Sequence, residues 1–270
     1  DDNFLTQRKR VKELCDGIYE SGLVKKCTFS LQTRADDVTE NLMPYLKKAR
    51  FTTVAFGLEV GTDKLMEDLK KDINVETYYK SSELVQRYGM GVILYLMFGV
   101  PGETSKDRHQ AYQIVKKIKP VMAKVGNLIP FPGTPLYDDS LKNSPRLNVV
   151  GTWESFDHPL RYLGFPLKKP ATLPYVPETS SEWEITRDII KYNFLNVMQA
   201  SKIFSVATGK SEHWWARMRP HWYLYPREWY EMIKLGLIMV SNLFFVLLPL
   251  RFTEPIMEFL YPELQKRIPE

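Results

Sequence analysis

Three apolar runs in this chain close on glycine-containing phrases: VAFGLEVGTDKL (Val54–Leu65), YLMFGVPGET (Tyr95–Thr104) and IPFPGTPLYDD (Ile129–Asp139). Between Thr28 and Asp139 such strand-like runs alternate with amphipathic helical stretches. That alternation is the pattern of βα units wound around a parallel sheet. Before the first run, Lys9–Ser21 carries Val11, Leu14, Cys15, Ile18 and Tyr19 at helical spacing, and Gly22 is placed to stop the helix.

The elements follow in order. TFSLQT (Thr28–Thr33) is a strand, and a helix follows from about Val38 with Leu42, Tyr45, Leu46 and Ala49 on one face. TTVAFGL (Thr52–Leu58) is the second complete strand. Asp63–Lys71 and Val75–Tyr88 read as helices, with Asn74 as N-cap and Gly89 as C-terminal stop. The run GVILYLMFG (Gly91–Gly99) is almost unbroken, which predicts a strand buried on both faces. Thr104 or Ser105 caps a helix bearing Ala111, Ile114, Val115 and Ile118, and a last strand lies within Met122–Ile129.

Past Asp139 the character changes. Residues 140–182 are rich in Pro, Lys and Ser with little periodicity, and read as a long irregular connection. Trp183–Val206 is again helical, with Ile185, Ile189, Ile190, Phe194, Val197 and Met198 in register. The stretch 213–230 is crowded with Trp, Tyr and Arg, and Leu235–Leu250 holds sixteen residues without a charge. Sixteen falls short of the ~20 residues that a helix needs to span a bilayer. Aromatics interleaved with Arg217, Arg219 and Arg227 suit a headgroup layer. They equally suit a buried helix under an aromatic lid.

The chain's 270 residues, 44% hydrophobic and 26% charged, have globular composition. A net charge of +5 without a dense Lys/Arg stripe gives no argument for nucleic acid. Cys15 and Cys27 are the two cysteines, at no zinc-binding spacing, and so few suit a reducing cytosol. His109, His158, His213 and His221 are scattered, and His158 reads as a surface or boundary residue. The chain opens on Asp1, and DDNF reads as the exit of a strand, so a trimmed chain is expected.

Ligands of such folds bind where strands end. Asp1, Asp2 and Asn3, then Arg34, then Glu59, then the turn GVPGET all stand at strand ends. A charged residue finishing a buried strand needs a partner. That partner is either a ligand or, for Arg34 and Glu59, each other. Glycines in the turn let main-chain groups approach a planar ring or a sugar.

The ordered set DDNF, a strand ending in Arg, FGLEVGTDKL, MFGVPGET and PFPGTPLYDD resembles the radical S-adenosylmethionine (SAM) superfamily, and within it the branch with a cobalamin-binding domain. The resemblance covers Asp1–Asp139. It implies a partial (β/α) TIM-like barrel of the α/β class, truncated at its N-terminus, over 1–139. An irregular connection (140–182) and a mainly α-helical C-terminal extension (183–270) complete the domain reading.

The resemblance also implies SAM contacts. Asp1, Asp2 and Asn3 would meet the amino group, Glu59 the ribose, Arg34 the carboxylate, and Gly99, Val100 and Pro101 the adenine, with Pro132, Gly133 and Thr134 beside the ligand. It implies a [4Fe–4S] cluster whose Cys-x-x-x-Cys-x-x-Cys ligands have no counterpart here, an external electron donor, and cobalamin where that branch uses it. The expected whole protein is a radical SAM enzyme, methyltransferases included, acting on a small or lipid-like substrate in the cytoplasm or at a membrane. This chain alone is expected to be inactive. The alternative is a cluster-less relative that keeps the half-barrel as a binding or scaffold module.

Overall fold

A computed structural model describes residues 3–138, 173–197 and 248–260, with positions 226, 229, 230, 233, 237 and 240. The elements are α1 (Arg8–Glu20), β1 (Phe29–Gln32), α2 (Met43–Lys48), β2 (Phe51–Glu59), α3 (Asp63–Asp68), α4 (Val75–Arg87), β3 (Gly91–Phe98), α5 (Ser105–Ile118), β4 (Met122–Asn127), α6 (Glu182–Val197) and α7 (Leu250–Leu260). The strands form one four-stranded sheet in the order β1-β2-β3-β4. β1 pairs with β2, and β2 with β3, in parallel. The class is α/β, with sequential parallel neighbours joined through helices.

The chain divides into two compact units, one of Asp1–Met97 with Lys106–Lys124, the other of Phe98–Ser105 with Val125–Glu270. In the first, register places Ser30, Thr53 and Gly91 abreast, then Gln32, Ala55 and Ile93, then Gly57 and Tyr95. These residues, small or polar apart from Ile93 and Tyr95, line one sheet face. The other carries Leu31, Val54, Phe56, Val92 and Leu94, all buried. Helices cover that face: α4 buries Tyr78 and Val85, and α5 buries Ala111, Ile114, Val115 and Ile118.

β3 departs from expectation. Val92, Leu94, Leu96 and Phe98 are buried, whereas Ile93, Tyr95 and Met97 are only half-buried. An unbroken apolar run carries no period, so sequence cannot tell a two-sided from a one-sided strand. Two helices are also shorter than their patterns. The segment from Val38 opens with a short 3₁₀ turn (Glu40–Leu42), and α2 begins only at Met43, with Pro44 in its first turn. α3 stops at Asp68 rather than Lys71. The caps of α4 hold as expected. Asn74 accepts from Thr77 N at 3.0 Å, and Gly89 takes a φ of +73° while Met90 N reaches back to Val85 O.

In the second unit, α6 begins at Glu182 and buries Ile185, Ile189 and Ile190. Its Asn193 side chain substitutes for a neighbouring strand. Oδ1 accepts from Val125 N at 3.0 Å and Nδ2 donates to Val125 O at 2.8 Å, satisfying backbone groups of β4. Phe98 and Tyr192 meet edge to face, with centroids 5.8 Å apart. The Trp183 indole donates to Thr253 at 3.2 Å, and Arg187 donates to Leu248 O at 3.0 Å, tying α6 to the start of α7. Most of the aromatic stretch 213–230 and of Leu235–Leu250 lies outside the described residues.

Candidate functional site

The carboxyl end of β2 is built around one carbonyl. In an extended strand, carbonyls two residues apart point the same way. Ala55 O accepts from Thr33 N at 3.1 Å, so Gly57 O points where β1 would continue. But β1 ends at Gln32, and the chain turns into a 3₁₀ segment, Ala35–Asp37. Side chains take the vacant strand's place: Lys71 Nζ donates to Gly57 O at 2.6 Å and the Tyr78 hydroxyl at 2.7 Å.

Glu59 closes the strand. The β2–β3 register slips between Gly57, opposite Tyr95, and Glu59, opposite Leu96. Glu59 has a φ of +63°, in the left-handed region that residues with a Cβ rarely adopt. Its side chain folds back over Gly57, where a Cβ would lie 2.2 Å from Glu59 Oε1. The glycine is thus a seat for the carboxylate.

Lys71 arrives through the end of α3. Thr62 caps that helix at its N-terminus. At the other end Lys70 N bonds Glu67 O at 2.8 Å and Lys71 N bonds Met66 O at 3.0 Å, a Schellman closure with Lys70 at a φ of +54°. The reversal returns Lys71 to β2. Its Nζ stands 3.7 Å from Glu59 Oε1. Burial pushes the Glu59 carboxyl above its ordinary range, opposed by Lys71, and pushes the Lys71 ammonium below its own, opposed by Glu59. Desolvation therefore exceeds their mutual attraction. Burial, with Glu59, also raises the Tyr78 phenol. A carboxylate held this way still has acceptor capacity for a donor ligand.

Arg34 and Glu59 do not pair. Arg34 Nε and one terminal nitrogen donate to the two Asp36 oxygens at 3.0 and 2.8 Å, and that nitrogen also meets Lys71 O at 3.1 Å. This fork holds the Asp36 carboxyl below the usual carboxylate range. Arg34 thus supports the loop that carries Lys71. Asn3 is exposed, and its carbonyl accepts from Thr6 N and Oγ1. Asp1 and Asp2 lie outside the described residues.

In the second unit the turn after β3 is fixed by its own acid. Gly99 and Gly102 adopt φ of +85° and +77°. A Cβ at Gly99 would meet only ordinary contacts, at 3.7 Å or more, so conformation rather than space requires the glycine. Glu103 is fully buried, its Oε2 accepts from Gly99 N at 2.7 Å, and its backbone oxygen accepts from the Thr179 hydroxyl. The Val100 side chain is buried and Pro101 is exposed. Further on, Gly133 has a φ of +84° and Pro132 is exposed. The Thr134 hydroxyl donates to Phe131 O at 2.7 Å and accepts from Tyr137 N, capping a helical turn that starts at Pro135. Its expected place beside a ligand competes with that cap.

Sequence reasoning gave no role to Gly57, Lys71, Tyr78 or Glu103. Gly57 and Glu103 stand inside phrases already singled out. Lys71 falls at the end of the expected helix Asp63–Lys71, and Tyr78 within the expected helix Val75–Tyr88. Among the described residues no group of three His, Cys, Asp or Glu side chains could hold a metal ion. His109 contacts Gln113 on α5 at 2.9 Å, and the other histidines lie outside the described residues.

Residues 3–115 match the family model of the Radical SAM superfamily. An uncharacterized protein of Methanocaldococcus jannaschii is 33% identical over 131 residues, covering 47% of this chain and 28% of that protein. The anaerobic magnesium-protoporphyrin IX monomethyl ester cyclase of Cereibacter sphaeroides is 22% identical over 175 residues, covering 64% of this chain and 27% of the cyclase. The chain thus spans less than a third of the length of either relative. The radical SAM methyltransferase TsrM of Kitasatospora setae, solved with tryptophan and a SAM analogue, aligns at a TM-score of 0.44 and 18% identity over 50% of this chain and 27% of that one.

Proposed function

We propose that this chain, which over residues 3–115 is of the radical SAM superfamily, binds S-adenosylmethionine as part of a larger enzyme. The observation that carries the reading is Glu59. Its carboxylate is partly open to solvent, seated on Gly57 and flanked by Lys71. Such a group suits the two hydroxyls of a ribose. Arg34 is proposed for the carboxylate, a role that requires it to leave Asp36. The whole enzyme would draw on an external electron donor and turn over a small or lipid-like substrate, by radical chemistry or by cobalamin-dependent methyl transfer.

The cysteines of this chain do not fit a [4Fe–4S] cluster. Cys15 is buried in α1, its thiol pushed up to about 11 by burial and by Asp16, while Cys27 is exposed. A cluster needs ionised thiolates, and three of them in the family's motif. No step is assigned to a cluster or to cobalamin on these residues. The test is calorimetric titration with S-adenosylhomocysteine. The protein is expected to bind it, and Glu59→Gln, which keeps shape but loses charge, about tenfold more weakly, the scale of one charge-assisted hydrogen bond. Equal affinity in both would sink the reading. Binding without any SAM cleavage by the intact protein would favour the cluster-less binding module instead.

A membrane contact is proposed separately for the second unit. Trp229, Tyr230, Ile233, Leu237 and Val240 are in helical conformation, and Phe252, Ile256 and Phe259 lie on α7; all are between 40% and 85% exposed. On α7 the spacings of four and three put Phe252, Ile256 and Phe259 on one helical face. No helix among the described residues is long and apolar enough to cross a membrane. Cations are spread through and beside the same segment at Arg217, Arg219, Arg227, Lys234 and Arg251, the last stacked over Phe252 at 4.8 Å. That chemistry fits the surface of an anionic bilayer. The protein should float with phosphatidylglycerol-containing vesicles and much less with pure phosphatidylcholine, and Leu237→Glu should release it. A vesicle-independent dimer disrupted by the same substitution would overturn this.

A further inference from the structure

We propose that Lys71 is the positioning residue of the β2 site, holding Glu59 on Gly57 and keeping its carboxylate ionised for a vicinal-diol ligand. The inference rests on the SAM reading and adds to it a residue and a charge state. Backbone accounting alone does not explain Lys71. Gly57 O already accepts from the Tyr78 hydroxyl at 2.7 Å, so the second donor, at 2.6 Å, is not needed to satisfy it. What that contact does fix is the cation itself, 3.7 Å from Glu59 Oε1 and 19% exposed.

The chain around Lys71 is shaped to hold it there. Lys70 and Asp72 both occupy the left-handed region, with φ of +54° and +50°, on either side of it. Non-glycine residues persist in that region where their surroundings hold them. Arg34 secures the same loop by donating to Lys71 O at 3.1 Å.

The charges around Glu59 divide by element. Lys71 comes from the loop after α3, Tyr78 from α4, and Arg34 with Asp36 from the turn after β1. Arg34 is forked onto Asp36, and Tyr78 offers a phenol whose ionisation burial opposes. The ion pair described for Glu59 is the one with Lys71. Without that cation, burial would act on the carboxyl unopposed and favour its neutral form. A neutral carboxyl carries a proton where a diol hydroxyl would donate.

Affinity for a diol is therefore present while Glu59 is ionised and is lost as pH falls through its folded-state value. Removing Lys71 raises that value, so the loss comes at higher pH. Lys71→Met keeps the apolar stem, and Tyr78 still satisfies Gly57. Titrated with S-adenosylhomocysteine, Lys71→Met should bind more weakly than the parent toward acid pH, by up to about tenfold, and converge to within about threefold of it as pH rises. That is the loss expected when the carboxylate holds its proton about tenfold more tightly. Lys71→Arg should restore the parent profile, and Glu59→Gln should be flat with pH. Carbon-13 NMR of the Glu59 carboxyl, without ligand, should show its midpoint moved upward in Lys71→Met. An unmoved midpoint, or a loss of affinity equal at every pH, would overturn the role. Absence of binding by the folded parent, with the midpoint moved, would sink the SAM reading and leave the electrostatic role of Lys71 standing.

Discussion

Gly61→Ala is expected to lower the melting temperature by about 10 °C or more and to drive much of the protein into aggregates. Gly61 follows β2 in the phrase GLEVG and is buried against α5. A Cβ there would lie 2.2 Å from Ala111 N, 2.6 Å from Asp107 O and 2.7 Å from Ala111 Cα. Asp107 O and Ala111 N are four residues apart in α5, the acceptor and donor of one helical hydrogen bond. The methyl group would be driven into that bond, and no rotamer change relieves a clash with backbone. Either the helix moves off the sheet or the loop is displaced. Overpacking typically costs ~1–3 kcal/mol, and a collision with main chain belongs at or above the top of that range. Against a stability of ~5–15 kcal/mol, and ~2–8 °C per kcal/mol for a unit this size, such a loss is a large fraction. Differential scanning calorimetry would decide; a shift under about 2 °C would show that α5 does not sit on Gly61 as described.

The same five residues illustrate what the sequence displays and what it hides. GLEVG marks the end of a strand and the approach of a ligand or helix, and Glu59 as a rim carboxylate is legible because a charge closing a buried run must be answered. The identity of its partner was not legible. Arg34 is the natural candidate, being the other charged strand end, yet Asp36 lies two residues from it and captures its fork at negligible loop cost. Lys71 takes the place instead, through a Schellman turn with lysine where glycine is usual, so the helix-stop signal is missing from the sequence. The turn GVPGET was legible as a glycine turn, but the bond from Gly99 N to the Glu103 carboxylate depends on a rotamer that no pattern encodes. Thr134-Pro135 is a helix start written openly, obscured by the prolines around it.

Gly57→Ala makes the sharpest contrast with Gly61→Ala, because the nominal overlap is the same 2.2 Å while the atom met is different. At Gly57 the new methyl meets Glu59 Oε1, the far end of a flexible side chain, with Cδ at 3.3 Å and Lys71 Nζ at 3.8 Å. The carboxylate can swing outward into solvent, which already reaches it. The fold should therefore lose under about 1 kcal/mol, because the helices and the opposite sheet face are untouched. The site should lose far more. Glu59 would be lifted from its seat and parted from Lys71, leaving the ammonium with only the Gly57 carbonyl. A displaced carboxylate makes neither of its two bonds to a diol, each worth ~1.5–3 kcal/mol when charged. Affinity for S-adenosylhomocysteine should fall about a hundredfold, more than for Glu59→Gln, whose amide still occupies the seat. Calorimetry and a melting curve on one preparation separate the outcomes. Unchanged affinity would mean that the ligand does not use Glu59 where it stands, whereas a melting temperature lowered as far as in Gly61→Ala would mean that Gly57 serves the fold rather than the carboxylate.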